Sequence, residues 1–387
     1  MIHTAFPARQ ALRAWPLFLA IALIMLGNGL GATLIGLRAS LEGFSTAATG
    51  TVMSGYYVGF LIGSLAVPGL VGRVGHIRAY AGLASLASTA TLGHLVFTEP
   101  AAWFVFRVVT GTCLAGLYIV AESWLNGASS DATRGRILAV YMVISTGGLA
   151  IGQLLLTLSD PGGFVLFLVG AILFSLAVVP VSLVRFPAPE IPAGGPIPYR
   201  HILNTAPIGL AGALIVGAAN GAVLGMGAVW GAAAGLSVHR IAIVLMLALV
   251  GGVAFQWPLG ALSDRVSRRR VIFSVTVLAA GAALWLAALE PAGTPALIAV
   301  FVLGGFSFPM YSLSGSHVND LVGRDHVVGA SSAILLANGI GAVTGPVGAS
   351  LVMTALGPAG LWFFVALVHA ALGVYAAVRL IKRWHLP

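Results

Sequence analysis

One short segment of the chain combines a carboxylate with several guanidinium groups between two long apolar runs. Asp264 and Arg265 lie in the middle of residues 258–270, and Arg268–Arg270 close the segment. Asp264 can accept hydrogen bonds from the positive end of a neighbouring helix, and the arginines can bridge to acids on other helices. Such contacts can break and re-form. We therefore predict that this segment, the charged loop, acts as a reversible latch in which Asp264 and Arg265 are the main members.

A weaker copy of the charged loop occurs 192 positions earlier, at residues 68–78. Arg73 and Arg78 are present there, but Gly72 stands where the acid is expected and Pro68 where the later copy has a glycine. The earlier copy therefore offers cations without a carboxylate of its own. We predict an asymmetric latch, in which the second half of the chain makes the stronger contact.

Two ionisable side chains, Arg107 and Glu122, lie inside one apolar run. They are fifteen residues apart, or about 22 Å along a helix, so they cannot pair. Arg107 needs a backbone carbonyl, a water-filled cavity or an anionic substrate group as its partner, and a purely structural arginine is the other interpretation. Glu122 is either a proton carrier or an ionised part of the latch, against Arg73, Arg134 or Arg136. Its position one turn from the inner end favours the latch.

The composition places these groups in a membrane protein. Of 387 residues, 59% are hydrophobic and 7% are charged, whereas soluble domains carry about 25% charged residues.

The net charge of +9 comes from arginines spread over many loops without a basic face, so a nucleic-acid partner is not expected. The single cysteine, Cys113, excludes an internal disulfide, and neither a metal site nor a cofactor is signalled.

Twelve apolar runs are long enough to cross about 30 Å of hydrocarbon as helices. They lie near residues 14–37, 47–71, 76–97, 101–124, 135–158, 162–184, 203–230, 237–262, 269–289, 294–318, 327–355 and 359–381. Cytoplasmic termini would put sixteen of the nineteen basic residues on the inner side, so we predict this orientation. Arg268 and Arg269 are expected mostly to anchor the inner helix ends in this orientation. The preference for arginine over lysine, with abundant alanine and glycine, is typical of GC-rich bacterial genomes. We therefore expect the bacterial inner (plasma) membrane.

The two halves of the chain are predicted to be related six-helix bundles. Residues 185–202 are rich in proline and form a cytoplasmic linker between residues 1–184 and residues 203–387. A shift of 192 positions aligns Asn28 with Asn220, and a shift of 193 aligns Tyr118 with Tyr311. Polar matches of this kind indicate duplication. The fold class is therefore an all-α membrane protein with two pseudo-symmetric bundles, a plan used by transporters.

Two short motifs relate the chain to a known family. Residues 260–269 read Gly-Ala-Leu-Ser-Asp-Arg-Val-Ser-Arg-Arg, and residues 107–111 read Arg-Val-Val-Thr-Gly. In these motifs, and along its whole length, the chain resembles the major facilitator superfamily (MFS), whose loop motif is G-x-L-x-D-R-x-G-R-R; Ser267 replaces the second glycine. Residues 75–78 and 121–126 resemble the YcaD-like branch, which gives little guide to the substrate. We expect a monomer surrounded by membrane lipids.

The resemblance implies a cavity lined by the first, fourth, seventh and tenth helices and by faces of the second, fifth, eighth and eleventh. Aromatic rings with one polar group suit amphipathic organic solutes, although each such side chain can instead serve helix–helix hydrogen bonding. His369, alone in the middle of the last apolar run, is interpreted as a structural histidine. Besides Arg107, the candidates for substrate binding or coupling are Asn28, Tyr56, Tyr57, Tyr118, Tyr141, Asn220, Gln256, Trp257, Tyr311 and Asn338.

These features together predict a secondary transporter that moves a small organic solute by alternating access, coupled to protons. Efflux of an amphipathic compound is the leading expectation, because the candidates are aromatic and poor in charge. Uptake of an anionic metabolite is the alternative if Arg107 faces the cavity, and a non-transporting sensor or assembly factor stays open. An enzyme is not expected, because Glu122, His369 and Cys113 lie on helices that are not expected to converge.

Overall fold

The structure, a computed structural model, describes residues 15–127, 134–183, 199–322 and 327–382. Within these ranges the chain is helical and contains no strand. The helices before the central gap are α1 (Trp15–Leu41), α2 (Thr46–Val74), α3 (His76–Val96), α4 (Pro100–Gly127), α5 (Arg134–Leu154, extended by a 3₁₀ turn, Leu155–Leu158), α6 (Val165–Leu176) and α7 (Val178–Ser182). Those after it are α8 (Tyr199–Thr205), α9 (Pro207–Ala233), α10 (Val238–Arg265), α11 (Arg268–Ala288), α12 (Thr294–Ser307), α13 (Met310–Val322), α14 (Val327–Leu356) and α15 (Gly360–Lys382).

Eleven helical segments of the described chain are long and apolar enough to cross a membrane. The predicted third run is not among them. It forms α3, a helix of 21 residues that is rich in alanine and hydroxyl side chains and buries His76, Ser88 and His94. The twelve-helix count and the cytoplasmic termini therefore remain predictions, since residues 1–14 and 383–387 lie outside the described ranges.

The chain divides into two compact units, Met1–Ile35 with Gly55–Pro192 and Gly36–Ser54 with Ala193–Pro387. The first unit buries Tyr80, Trp124 and Phe174 in its core, among many aliphatic side chains. The second has two core clusters of aliphatic residues. Most of the predicted linker 185–202 lies outside the described residues, so the boundaries at 184 and 203 stay predictions.

One turn occurs twice in the chain, 192 residues apart. Gly43 and Gly235 follow the ends of α1 and α9 and have φ values of 78° and 73°, in the left-handed region that favours glycine. In each turn the next N–H donates to the carbonyl five residues back, at 3.0 and 2.9 Å. This is a common way to end a helix. Its recurrence supports the internal repeat.

Paired glycines bring helix backbones into contact at matching places. A Cβ on Gly59 or Gly111 would lie 1.9 Å from a carbonyl oxygen of the other helix, α4 or α2. A Cβ on Gly251 or Gly304 would lie 2.0 Å from a carbonyl oxygen where α10 meets α12. Helices in lipid associate through such close approach, because lipid gives no hydrophobic force between them. The same contact therefore fixes one helix pair in each unit.

Replacing Gly251 with alanine is expected to lower the unfolding temperature of the purified protein. The added methyl group meets a backbone oxygen that cannot move without shifting α12, which should cost about 1–3 kcal/mol or more. Gly281→Ala is the matched control, since nothing lies within 4 Å of that position and alanine favours a helix. Thermal unfolding in detergent measures both. Equal stability of the two variants would contradict the contact.

Candidate functional site

Arg107 is a buried cation within the first unit. It lies on α4 and is 4% exposed. Its guanidinium carbon is 4.6 Å from the centre of the Tyr56 ring, a cation–π contact. The Nε atom has no hydrogen-bond partner among the described residues, and no carboxylate in those ranges forms an ion pair with the side chain. A buried charge without a counter-charge is costly, so this side chain needs an explanation.

A small cavity lies beside Arg107, between α1, α3, α4 and α6. Its volume is about 20 Å³, enough for one water-sized group. The polar side chains in its lining are Asn28, Thr91, His94, Arg107 and Thr110. His94 is 3% exposed; its Nδ1 lies 2.8 Å from the Ala90 carbonyl, and its Nε2 has no partner in the described part of the chain. The cavity thus combines an uncompensated cation with unsatisfied polar atoms.

Several predicted residues are connected to Arg107 through Tyr56, whose hydroxyl is hydrogen-bonded to Asn28 and Tyr118. The Asn28 Nδ2 donates to the Tyr118 hydroxyl at 2.9 Å. The rings of Tyr56 and Tyr57 meet edge to face with centres 5.3 Å apart. We call these five residues, Asn28, Tyr56, Tyr57, Arg107 and Tyr118, the Arg107 cluster. It places one cation, one amide and three phenol rings inside the first unit.

Glu122 and Tyr141 form a separate pair. The Tyr141 hydroxyl donates to the Glu122 carboxylate at 2.7 Å. Arg73 and Arg136 are not within ion-pair distance of Glu122. The side chain of Arg134 lies outside the described part of the chain. Two candidates that were assigned different roles, latch and substrate contact, are therefore partners of each other.

Arg268 of the charged loop forms ion pairs with two carboxylates. Its guanidinium bonds the Asp264 carboxylate at 3.2 Å and also forms an ion pair with Asp320. Since Asp264 ends α10 and Asp320 lies in α13, Arg268 ties three helices together at one end of the second unit. Sequence reasoning missed Asp320. A search for acids near the inner ends of the apolar runs would have found it, because it is the acid of the α13 segment.

The other arginines of the loop and of its weaker copy differ in exposure. Arg265, Arg73 and Arg78 are exposed, and Arg269 is half-buried. All four lie at or beside helix ends. Arg268, which the sequence had indicated mostly as an anchor, thus pairs with the carboxylates of Asp264 and Asp320, whereas Arg265 is exposed.

The candidates of the second unit lie in separate contacts. Asn220 accepts a hydrogen bond from a serine of α12 at 2.8 Å. Asn338 donates to a backbone carbonyl of α9 at 3.1 Å, which is the helix–helix role. Gln256 donates to a serine of α13 at 2.7 Å. Trp257 is 80% exposed and Tyr311 is 38% exposed. Asn220 is therefore the candidate here whose contact leads into the protein interior.

These observations define a helical membrane protein with an internal repeat and one polar cluster inside the first unit. The sequence model of the Major Facilitator Superfamily matches residues 209–385. The match covers the half with the complete loop motif, whereas the weaker copy lacks the acid.

Relatives extend the match over most of the chain. The chain is 30% identical over 321 residues to the uncharacterized MFS-type transporter YcaD of Escherichia fergusonii, covering 81% of this chain and 82% of the relative. It is 28% identical over 327 residues to an uncharacterized MFS-type transporter of Yersinia pestis, covering 83% and 84%. The chain belongs to the major facilitator superfamily, and the predicted resemblance to its YcaD-like branch is confirmed. It is a membrane transporter of that family.

Solved structures show the same fold. The nucleoside transporter NupG superposes with a TM-score of 0.77 at 16% identity, covering 97% of this chain and 100% of that one. The Escherichia coli fucose:proton symporter FucP superposes with a TM-score of 0.59 at 15% identity, covering 96% and 99%. At such identities the likeness concerns the fold alone.

Removing the Asp320 carboxylate is expected to loosen the end of the second unit without unfolding it. Exposed ion pairs contribute about 0–1 kcal/mol, so Asp320→Asn should leave the unfolding temperature nearly unchanged. Backbone amides around residues 263–270 should exchange hydrogen for deuterium faster, because Arg268 loses one of its two carboxylates. Glu290→Gln, which neutralises an exposed acid beyond the other end of α11, is the control. If exchange is the same in both variants, the Arg268 bridge does not hold this end closed.

Proposed function

We propose that this transporter moves a small organic solute with an anionic group and an aromatic or apolar body, by alternating access. The observation that supports this is the uncompensated charge of Arg107. A guanidinium group binds carboxylate, sulfonate or phosphate oxygens through charge-assisted hydrogen bonds. An incoming anion would supply the counter-charge that the described residues lack.

The surroundings of Arg107 fit such a solute. The cavity of about 20 Å³ admits one oxygen-sized group beside the guanidinium, not a whole solute. The three phenol rings of the Arg107 cluster offer apolar faces with polar edges to the rest of the molecule. Asn28 holds the Tyr118 hydroxyl, so the rings are positioned before the solute arrives. Pre-positioned contacts of this kind favour binding, because less side-chain freedom is lost.

Proton-coupled efflux is the mode that we propose for this solute. The aromatic character of the candidates favours amphipathic compounds, which enter the bilayer from either side and are typical cargo for export. A fold neighbour, FucP, is titled a fucose:proton symporter, so proton coupling is compatible with this architecture. Glu122 and its partner Tyr141 are one candidate pair for the proton.

Uptake of a small hydrophilic anion is the second candidate, and Arg107 favours it as well. The two modes differ in the solute and in direction. An exporter should prefer anions with an aromatic body. It should move them out of the cell in exchange for protons that flow inward down their gradient. An importer should accept small hydrophilic anions equally well and accumulate them. A non-transporting sensor would bind anions without any flux.

We also propose the cellular setting and the gate. The chain works as a monomer of twelve membrane helices in the bacterial inner membrane, with α3 as the twelfth and both termini in the cytoplasm. The relatives from enteric bacteria support this compartment. The bridge between Arg268, Asp264 and Asp320 is the inner latch, to which Arg265 and Arg269 add positive charge.

Replacing Arg107 with methionine is expected to separate stability from binding. Methionine removes a buried cation that lacks a counter-charge, so the unfolding temperature should stay equal or rise, by up to about 4 kcal/mol in stability. If Arg107 were instead one half of a buried structural ion pair, the substitution would lower the free energy of unfolding by about 3–5 kcal/mol. Organic anions such as salicylate should raise the unfolding temperature of the wild-type protein, and the neutral salicylamide should not. In Arg107→Met this anion effect should vanish.

The flux measurement uses proteoliposomes with an imposed pH gradient. Anions that stabilise the wild-type protein should move at a rate that falls at least about tenfold in Arg107→Met, because a hydrogen bond to a charged group contributes about 1.5–3 kcal/mol. Arg136→Gln serves as the control for removal of a positive charge, because Arg136 is exposed near the start of α5 and lies outside the charged loop. Equal flux in wild type and Arg107→Met would contradict anion recognition. Stabilisation by anions without flux would identify a sensor.

A further inference from the structure

A second polar site lies inside the second unit, around His369. This residue of α15 is completely buried, as is Thr276 of α11, and Ser307 at the end of α12 is 2% exposed. The His369 Nδ1 lies 3.2 Å from the Thr276 hydroxyl, and the Nε2 lies 3.1 Å from the Ser307 hydroxyl. Ser307 in turn donates to the Asn220 amide oxygen at 2.8 Å. A chain of hydrogen bonds therefore runs from α15 through α12 to α9.

The geometry of this chain fits two protonation states of His369. The Thr276 hydroxyl donates to the backbone carbonyl of His369 at 3.1 Å, so it accepts from Nδ1. With the Ser307 hydroxyl donating to the Asn220 amide oxygen, Nε2 is a donor as well, which is the pattern of a protonated histidine. With the Asn220 amide turned over, Ser307 donates to Nε2, which is the pattern of a neutral one.

Loss of one proton reverses half of the chain. When Nε2 gives its proton to water, the nitrogen becomes an acceptor, and the Ser307 hydroxyl must turn to donate to it. The Ser307 oxygen then accepts from Asn220, whose amide turns so that its NH₂ faces the serine. The Nδ1 side is unaffected. One proton on His369 thus decides which group of the Asn220 amide points away from Ser307. This group is the NH₂ when His369 is protonated and the oxygen when it is neutral.

The charges around His369 do not compensate a proton there. The helices that pack on α15 are α9, α11 and α14. α9 and α14, with the α12 segment that bears Ser307, contain no Asp, Glu, Lys, Arg or His. α11 has Arg268–Arg270 at its start, at least six residues before Thr276. On α15 itself, Arg379 stacks on Tyr375, six residues beyond His369. An added proton therefore depends on water reaching the chain of hydrogen bonds.

We propose that His369 is a proton-binding site, read out at Asn220 through Ser307. The proposal rests on the proposed transport function and names its coupling site. Asn220 is partly exposed and was predicted to contact the solute. Proton binding that depends on hydration differs between conformations that admit water and those that exclude it. Such a difference in affinity is what couples a proton to a conformational change.

The test is nitrogen NMR of the full chain in lipid nanodiscs, with histidine labelled by ¹⁵N. The protein has nine histidines, and the signals that disappear in His369→Gln belong to His369. If that variant folds poorly, Thr276→Val identifies the same signals, because the loss of the hydroxyl beside Nδ1 changes their chemical shifts. Between about pH 8 and pH 5 the Nε2 signal should move from the value of an unprotonated nitrogen to that of an imidazolium, whereas the Nδ1 signal changes little. Ser307→Ala should move the midpoint by at least about half a pH unit, a threefold change in proton affinity.

Two outcomes would overturn the proposal. A His369 signal that stays neutral in one tautomer over the whole range would make it a structural histidine. A titration unchanged by Ser307→Ala would break the link to Asn220. Neither result depends on flux, so a silent His369 in a protein that transports organic anions refutes only this site. A titrating His369 in a protein without flux refutes only the transport proposal.

Discussion

Contact between glycine backbones sets the positions of the polar side chains in this protein. Gly111 lies against the Tyr56 carbonyl, four residues along α4 from Arg107, so the α2–α4 contact also places the guanidinium over the Tyr56 ring. In the second unit Gly304 lies against α10, and Ser307 follows it by about one turn. A larger residue at either glycine would separate the helices and move the polar group with them. Packing and chemistry are therefore coupled through the same few residues.

The two units repeat this packing with different chemistry. Asn28 and Asn220 are matched by the 192-residue shift, yet Asn28 donates to a tyrosine hydroxyl and Asn220 accepts from a serine. Arg107 has an apolar residue, Val300, at the matching position. A duplicated scaffold can keep its backbone contacts while its polar residues diverge, because the contacts depend on glycine and the polar residues do not. One unit thus contains a buried cation without a counter-charge among the described residues, and the other contains a buried histidine.

The sequence predicted most of the helices, because lipid forces apolar runs of this length to satisfy their backbone hydrogen bonds internally. It also indicated the Arg107 cluster, since an ionisable residue in an apolar run points to function. It could not predict that Asp320 and Tyr141 would be the partners of Arg268 and Glu122. Those pairs depend on which helix ends meet and on side-chain direction, which spacing along one helix does not define. The hydrogen bonds of His369 could not be predicted for the same reason. Serine and threonine are common in apolar runs, and only the tertiary contacts show which of them lie beside an imidazole.

The weakness of the Arg268 bridge suits a latch. Its carboxylates are largely exposed, so each ion pair contributes about 0–1 kcal/mol. A transporter must break its closed state in every cycle, and a latch worth many kcal/mol would hold nearly the whole population in one state. The buried groups have the opposite character. Arg107 and His369 have no counter-charge among the described residues, so a mobile anion or proton can change their energy by far more than the latch contributes. In the mechanism that we propose, the mobile species decides which conformation is occupied, and the exposed ion pairs only adjust the balance.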